Sequence, residues 1–174
     1  YTLGYSFGSG VTIPGTGILM NNQMNNFAYR YGDSSVDGRA ASPANRFEAG
    51  KRPMSTMTPT MVFNQAGELM LVTGSPGGSF IPAAVLRVVS GVIDFDLNIG
   101  EATMLPRIHK DWPYSGLDHE SILSSDIARQ LGIMGHKPES QKTMGSTQSI
   151  HIKKGINYGY ADLRRPGAGV STQR

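Results

Sequence analysis

The spacing of apolar positions changes period along the chain, and each change marks an element. Thr60-Met61-Val62-Phe63 and Glu68 to Val72 flank Asn64-Gln65-Ala66-Gly67, which predicts a β-hairpin with a four-residue turn. From Ile81 to Ile93 the period lengthens. Ile81, Ala84, Val85, Val88, Val89 and Val92 share one helical face, with Arg87, Ser90 and Asp94 opposite. So many β-branched residues weaken a helix on its own, so packing on a sheet has to hold it. Ile99 to Met104 predicts a short helix stopped by Pro106. Leu123, Ile127 and Leu131 predict a second amphipathic helix, starting near Ser124 and ending at Gly132 or Gly135. Ser149 to Lys153 alternates as a strand with His151 on its solvent side, and Asn157 to Ala161 is its hairpin partner across Lys154-Gly155. A shorter strand is expected at Ile18-Leu19-Met20, and the amide cluster Asn21-Asn22-Gln23-Met24-Asn25-Asn26 predicts turns with side-chain hydrogen bonds rather than helix. Residues 28 to 52, and 105 to 120 around Trp112 and Pro113, show no period. Strands, then helices, then strands imply an antiparallel sheet covered by helices, an α+β or layered α/β class.

Composition narrows this picture. With 174 residues, 39% hydrophobic and 17% charged, the chain is globular and is expected to form a single domain over 1–174. The net charge of +3 comes from scattered Lys and Arg without an aromatic-lined basic stripe, which argues against nucleic acid as a partner. There is no cysteine, and no apolar run approaches the ~20 residues of a membrane span. The first residues are Tyr1-Thr2-Leu3 with no initiator Met, which is expected of a processed product or a trimmed piece.

The candidate chemistry centres on Thr73-Gly74-Ser75-Pro76-Gly77-Gly78-Ser79, between a strand-like and a helix-like run. Backbone N–H groups in such a turn can converge on an anion or a developing oxyanion, and a plain glycine turn fits the stretch equally well. Gly4-Tyr5-Ser6-Phe7-Gly8 matches a nucleophile-elbow pattern, but neither the preceding strand nor the following helix that it needs is available. The glycine stretch lacks the Lys of a phosphate loop, and His109, His119, His136 and His151 show no metal spacing, so no cofactor is called for. Asp94-Phe95-Asp96 reads as the turn that ends a helix. The adjacent hydroxyls of Ser55 and Thr56 could hold a carboxylate, or serve as a turn or cap.

Four stretches, in this order and spacing, resemble the small C-terminal subunit of γ-glutamyltranspeptidase along nearly the whole chain. They are Gly17-Ile18-Leu19-Met20-Asn21-Asn22-Gln23-Met24, Lys51-Arg52-Pro53-Met54-Ser55-Thr56-Met57-Thr58-Pro59-Thr60, the Thr73 to Ser79 stretch, and Met144-Gly145-Ser146-Thr147-Gln148-Ser149. The resemblance implies an N-terminal-nucleophile hydrolase: part of a four-layer αββα sandwich, completed by a large subunit cut from the same precursor. It implies a γ-glutamyl donor such as glutathione, an amino acid, peptide or water acceptor, and a periplasmic or secreted address. Family small subunits open on Thr-Thr-His or similar, so the nucleophilic threonine is expected upstream of Tyr1. By the same resemblance Thr2 is the family's second threonine, whose hydroxyl bonds to the nucleophile, and Gly77 and Gly78 match the oxyanion-hole glycines. Ser55 and Thr56 match the hydroxyl pair on the donor's α-carboxylate. Gln23 keeps one contact to the donor's α-amine, but Asn26 stands where the family has an acidic residue, and Gly4 where it has an asparagine. That departure raises an alternative, an acylase of cephalosporin or glutaryl amides on the same scaffold. A non-catalytic fragment is the third reading.

Overall fold

The computed structural model describes residues 1–5, 7–28, 42–111 and 115–172. Ser6, residues 29–41, and Trp112 with Pro113 lie outside the described residues. The chain divides into two compact units, Tyr1–Ser55 and Thr56–Arg174.

The first unit is built from turns. Ile18-Leu19-Met20 does not form the expected strand: only Leu19 pairs, in an isolated antiparallel bridge with Thr12. Local bonding is the reason, because the Thr16 hydroxyl donates to the Ile13 carbonyl at 2.9 Å and accepts the Ile18 N–H at 3.1 Å. The amide cluster folds as one 3₁₀ turn, Gln23–Asn26, with the Asn21 side chain accepting the Gln23 N–H as the turn opens. The Asn22 side chain pairs with the Tyr5 backbone as a strand would, accepting its N–H at 3.1 Å and donating to its carbonyl at 2.9 Å. Phe27 is buried edge-on against Phe47, with ring centres 5.3 Å apart.

The second unit carries the regular structure. β1 (Thr60–Phe63), β2 (Leu69–Gly74), β6 (Gln148–Lys153) and β7 (Ile156–Ala161) form an antiparallel sheet in the order β1-β2-β6-β7. α1 (Ile81–Ile93) and α2 (Ile99–Met104) pack on one face of it. Leu71, Val88, Val92, Ile99 and Ala102 make the core between them, with Val62, Met70 and Tyr160 against it. The helical face predicted for α1 is the buried one. α2 starts at a capping box, with Asn98 Oδ1 accepting the Glu101 N–H at 3.0 Å and Glu101 Oε2 accepting the Asn98 N–H at 3.1 Å.

The phase of β6 is opposite to the expected one. Ile150 is 46% exposed and His151 only 7%, because the register sets His151 beside Leu71, on the core side of the sheet. Burial first, then the nearby Lys153, hold the His151 imidazole below its ordinary pKa, against a weaker pull from Asp96. The neutral form therefore favours the fold. Its contribution is present above the ordinary imidazole pKa and is lost as pH falls through the depressed one. Between about pH 7.5 and 5.5 the melting temperature is expected to drop less in His151→Gln than in the parent protein. Parallel curves would remove His151 from the acid response.

Around Ile108–His109 and Gly116–Glu120 the chain is more regular than its sequence suggests. β3 (Ile108–His109) pairs antiparallel with β4 (Gly116–Glu120), and β4 pairs in parallel with β5 (Lys137–Gln141). α3 (Ser125–Ile133), N-capped by Ser124, is the crossover between the two parallel strands. The four-stranded sheet is the expected antiparallel one, and this second sheet adds a parallel pair beside it.

Candidate functional site

The Thr73 to Ser79 stretch sits where β2, a central strand, hands over to α1. Gly74 closes the strand, Ser75-Pro76-Gly77 turns, and a 3₁₀ turn at Gly78–Phe80 leads into Ile81. The first N–H groups of a helical start have no partners one turn back, and they carry the positive end of its dipole. Among the described residues, neither the Gly77 nor the Gly78 N–H is taken by a hydrogen bond. The Gly77 carbonyl accepts the Phe80 N–H at 3.1 Å, and the Gly78 carbonyl accepts the Ile81 N–H and the Thr56 hydroxyl, the latter at 2.8 Å. The geometry favours glycine: Gly77 has φ +142°, which a side chain rarely adopts, and Gly78 φ +58°, in the left-handed region.

The back of this turn rests on Met144 to Thr147. Ser146 donates its N–H to Ser75 Oγ at 2.9 Å, and Ser75 Oγ donates to the Pro76 carbonyl at 2.7 Å. A Cβ at Gly77 would come within 2.9 Å of Gly145 Cα, so two backbones touch there. The Met144 stretch is itself clamped by four buried charges. Glu120 Oε1 accepts the Met144 N–H at 3.0 Å, Arg107 Nη1 donates to the Met144 carbonyl at 2.6 Å, and Asp162 Oδ2 accepts the Thr147 N–H at 2.8 Å. Arg164 grips Glu120 through two 2.7 Å bonds and reaches Asp162 at 3.2 Å, while Arg107 meets Asp162 at 2.5 Å. Two cations face two anions, and all four side chains are at most 6% exposed.

Burial alone would raise the Glu120 pKa, but bonds from Arg164 and from the Met144 and Arg107 N–H groups bring it below the ordinary range. Burial likewise works against Asp162, and donors from Arg164, Arg107 and Thr147 overcome it. Burial and the neighbouring Arg164 lower the Arg107 pKa against Asp162, whereas Arg164, also penalised by burial, is raised by its bonds to Glu120. None of the four residues stands out in sequence. They lie up to 57 positions apart by number (107 to 164). Met144 to Thr147 was visible as a motif but without a role.

In the first unit, Asn26 donates its amide to the Met54 carbonyl at 3.3 Å. Asn45 ties the same two segments, donating to the Asn26 carbonyl at 2.6 Å and accepting the Met54 N–H at 2.8 Å. Gln23 opens the 3₁₀ turn, with its N–H on Asn21 Oδ1 at 3.1 Å. Thr2 is half-buried beside Leu3, whose carbonyl accepts the Asn22 N–H at 2.9 Å. Gly4 has φ +88°, and a Cβ there would lie 2.2 Å from Asn22 Oδ1, so the Asn22 side chain fills the space an asparagine at position 4 would need. Ser55 is exposed and Thr56 half-buried.

A family profile described as Gamma-glutamyltranspeptidase matches residues 1–172. The chain is 43% identical over 165 residues to the glutathione hydrolase proenzyme of Escherichia coli K12, covering 94% of this chain and 28% of that protein. It spans under a third of the length of the curated bacterial proenzymes that it matches first. Among solved structures, a mutant of Helicobacter pylori gamma-glutamyltranspeptidase superposes with TM-score 0.86 at 39% identity, over 95% of this chain and 91% of that one. A cephalosporin acylase from Bacillus halodurans superposes with TM-score 0.75 at 28% identity, over 96% of this chain and 30% of that one.

Proposed function

From the premise that this chain belongs to the γ-glutamyltranspeptidase family, we propose that it is the small-subunit part of an enzyme that transfers or hydrolyses γ-glutamyl groups of glutathione and related amides. The observation that carries this reading is the pair of N–H groups at Gly77 and Gly78, without a hydrogen-bond partner among the described residues, at the β2–α1 junction of a family member. A threonine Oγ supplied by the rest of the protein attacks the γ-carbonyl carbon. Its proton passes through that residue's own α-amine to the departing amine nitrogen. The carbonyl oxygen becomes an oxyanion, which the Gly77 and Gly78 N–H groups stabilise. The resulting threonine ester is then cleaved by water or by an acceptor amine. Thr2 supports the nucleophile's hydroxyl, Ser55 and Thr56 belong to the donor's α-carboxylate side, and Gln23 and Asn26 to its α-amine.

A large partner segment fits the sheet. The face of β1-β2-β6-β7 away from the helices carries Met61 (65% exposed) and Ile150 (46%), the apolar surface that a second sheet covers in an αββα sandwich. Among the described residues no helix is long and apolar enough to cross a membrane. A periplasmic or secreted address is part of the same proposal.

The test is expression of the complete protein, followed by splitting of the precursor and release of p-nitroaniline from γ-glutamyl p-nitroanilide, with and without a dipeptide acceptor. A folded, split protein that releases none would overturn the reading.

The acylase reading rests on Asn26 and Gly4, and on the likeness to the Bacillus halodurans acylase. An ammonium is held about twice as well by a carboxylate as by a neutral acceptor. Asn26→Asp trades its bond to the Met54 carbonyl for that charge. A contact of about 1.5–3 kcal/mol outweighs a neutral bond of about 1 kcal/mol. The KM for γ-glutamyl p-nitroanilide is therefore expected to fall by up to about tenfold. The KM for glutaryl p-nitroanilide, which has no α-amine, is expected to hold or rise. Equal kinetics for both donors in both proteins would show that residue 26 does not meet the substrate.

A further inference from the structure

Resting on the reading of Gly77 and Gly78 as the oxyanion donors, we infer that Ser75 is a positioning residue for that hole. Its hydroxyl holds the Pro76 carbonyl, and through that peptide plane it aims the Gly77 N–H.

The Pro76 carbonyl and the Gly77 N–H belong to one peptide unit. A trans peptide points its N–H opposite to its C=O, so a group that holds the Pro76 oxygen sets the direction of the Gly77 hydrogen. Ser75 Oγ donates to that oxygen at 2.7 Å, and among the described residues no other group bonds to it. The neighbouring bond fixes which way the proton points. The Ser146 N–H can only donate, and it donates to Ser75 Oγ at 2.9 Å. A carbonyl can only accept, so the single hydroxyl proton goes to Pro76.

The sequence leaves this plane two ways to face. A Pro-Gly pair forms the centre of type I and of type II turns, which differ by turning over the peptide between the two residues. Proline fixes its own φ, and glycine takes φ of either sign, so neither residue selects the orientation. Gly77 has φ +142° and ψ +15°, the positive-φ alternative. Turned over, the plane would set the Pro76 oxygen where the Gly77 N–H now points, and a lone pair would meet the developing negative charge. The plane that carries the Gly78 N–H has a hold of its own, the Phe80 N–H on the Gly77 carbonyl at 3.1 Å. Each donor plane therefore has one hold, and for Gly77 it is a side chain.

Ser75 is itself held. Ser146 is 2% exposed and lies in the stretch that Glu120, Arg107 and Asp162 bind at Met144 and Thr147. Gly145 leaves the room for the bond. A Cβ there would come within 2.7 Å of Ser75 Oγ and 3.0 Å of the Pro76 oxygen. The bare Gly145 and the Ser146 N–H thus converge on one hydroxyl–carbonyl bond, which gives Met144-Gly145-Ser146-Thr147 its part in the site.

Steady-state kinetics of the complete, matured protein with γ-glutamyl p-nitroanilide tests this, with the melting temperature read alongside. Ser75→Ala removes the proton. It is expected to lower kcat by about ten- to a hundredfold, less than the loss of a donor outright. KM is expected to stay within about twofold, because the oxyanion is absent from the ground state. Ser75→Thr keeps the hydroxyl and is expected to bring kcat back to within about threefold of the parent. Parental kcat in Ser75→Ala, even with a lower melting temperature, would overturn the inference and leave the activity established. So would a loss carried by KM, or a Ser75→Thr enzyme as slow as Ser75→Ala. If the parent protein releases no p-nitroaniline, the proposed function fails and the inference falls with it. Should Ser75→Ala not mature, a crystal structure of the matured parent with a γ-boronic acid analogue of glutamate on its threonine decides. A boronate oxygen is expected within about 3.1 Å of the Gly77 nitrogen, with Ser75 Oγ on the Pro76 oxygen. A boronate away from Gly77, or Ser75 turned from Pro76, would overturn the assignment.

Discussion

Replacing Gly77 by alanine is expected to lower kcat for γ-glutamyl p-nitroanilide by about 10²–10³-fold, the usual loss when one oxyanion donor goes. Two independent features set this size. At φ +142° a side chain strains the backbone wherever it points. The new Cβ would also lie 2.9 Å from Gly145 Cα, a backbone atom that no rotamer change can move aside. Either the turn shifts outward or the Met144 to Thr147 stretch shifts back, and both misdirect the Gly77 and Gly78 N–H groups. KM is expected to stay within about threefold, because the oxyanion exists only in the transition state. Gly74→Ala is the control: it sits at the end of the same strand with open space around its missing Cβ, and its kcat should stay within about twofold of the parent. Near-parental kcat in Gly77→Ala, measured on matured and folded protein, would exclude Gly77 from the hole.

What the sequence made legible follows from how locally each feature is encoded. α1 could be read to its ends because Ile81 to Val92 repeats at helical spacing and Asp94 closes it. The β1–β2 and β6–β7 hairpins carried their own turns, Asn64 to Gly67 and Lys154-Gly155. β5 could not be read: Lys137-Pro138-Glu139-Ser140-Gln141 has no alternation, since it is an edge strand whose pairing is imposed by β4 across the α3 crossover. His151 was placed on the wrong face because alternation fixes two faces but not which one meets the helices. The glycine turn was recognised as a candidate from composition and as a family motif from resemblance. Its supports, Thr56 from one side and the four charges from the other, depend on pairings at long range that no local pattern announces.

The four buried charges carry the largest expected effect on stability. Arg107→Met leaves Asp162 buried with one cation in place of two, and leaves the Met144 carbonyl without its 2.6 Å donor. Removing one partner of a buried ion pair costs about 3–5 kcal/mol, because the charge left behind has lost both its counter-ion and its water. Methionine matches the volume of the stem, so the cost is electrostatic rather than a cavity. Urea unfolding of the complete protein is the measurement, and a loss under about 1 kcal/mol would mean that water or Arg164 repairs the gap. The acid response has a definite sign. Glu120 and Asp162 have folded pKa values below their ordinary ones, so each contributes stability that is complete above the ordinary carboxylate pKa of about 4 and is lost as pH falls through the depressed value. Glu120→Gln removes one such group. Its stability should therefore be lower than the parent's at neutral pH, and the gap should narrow as the medium is acidified. The same substitution loosens the grip of Oε1 on the Met144 N–H, and Met144 begins the stretch on which Gly77 rests. Under conditions where Glu120→Gln is still folded, kcat should therefore fall more than KM changes. A Glu120→Gln enzyme with parental kcat would show that the cluster stabilises the fold without reaching the turn.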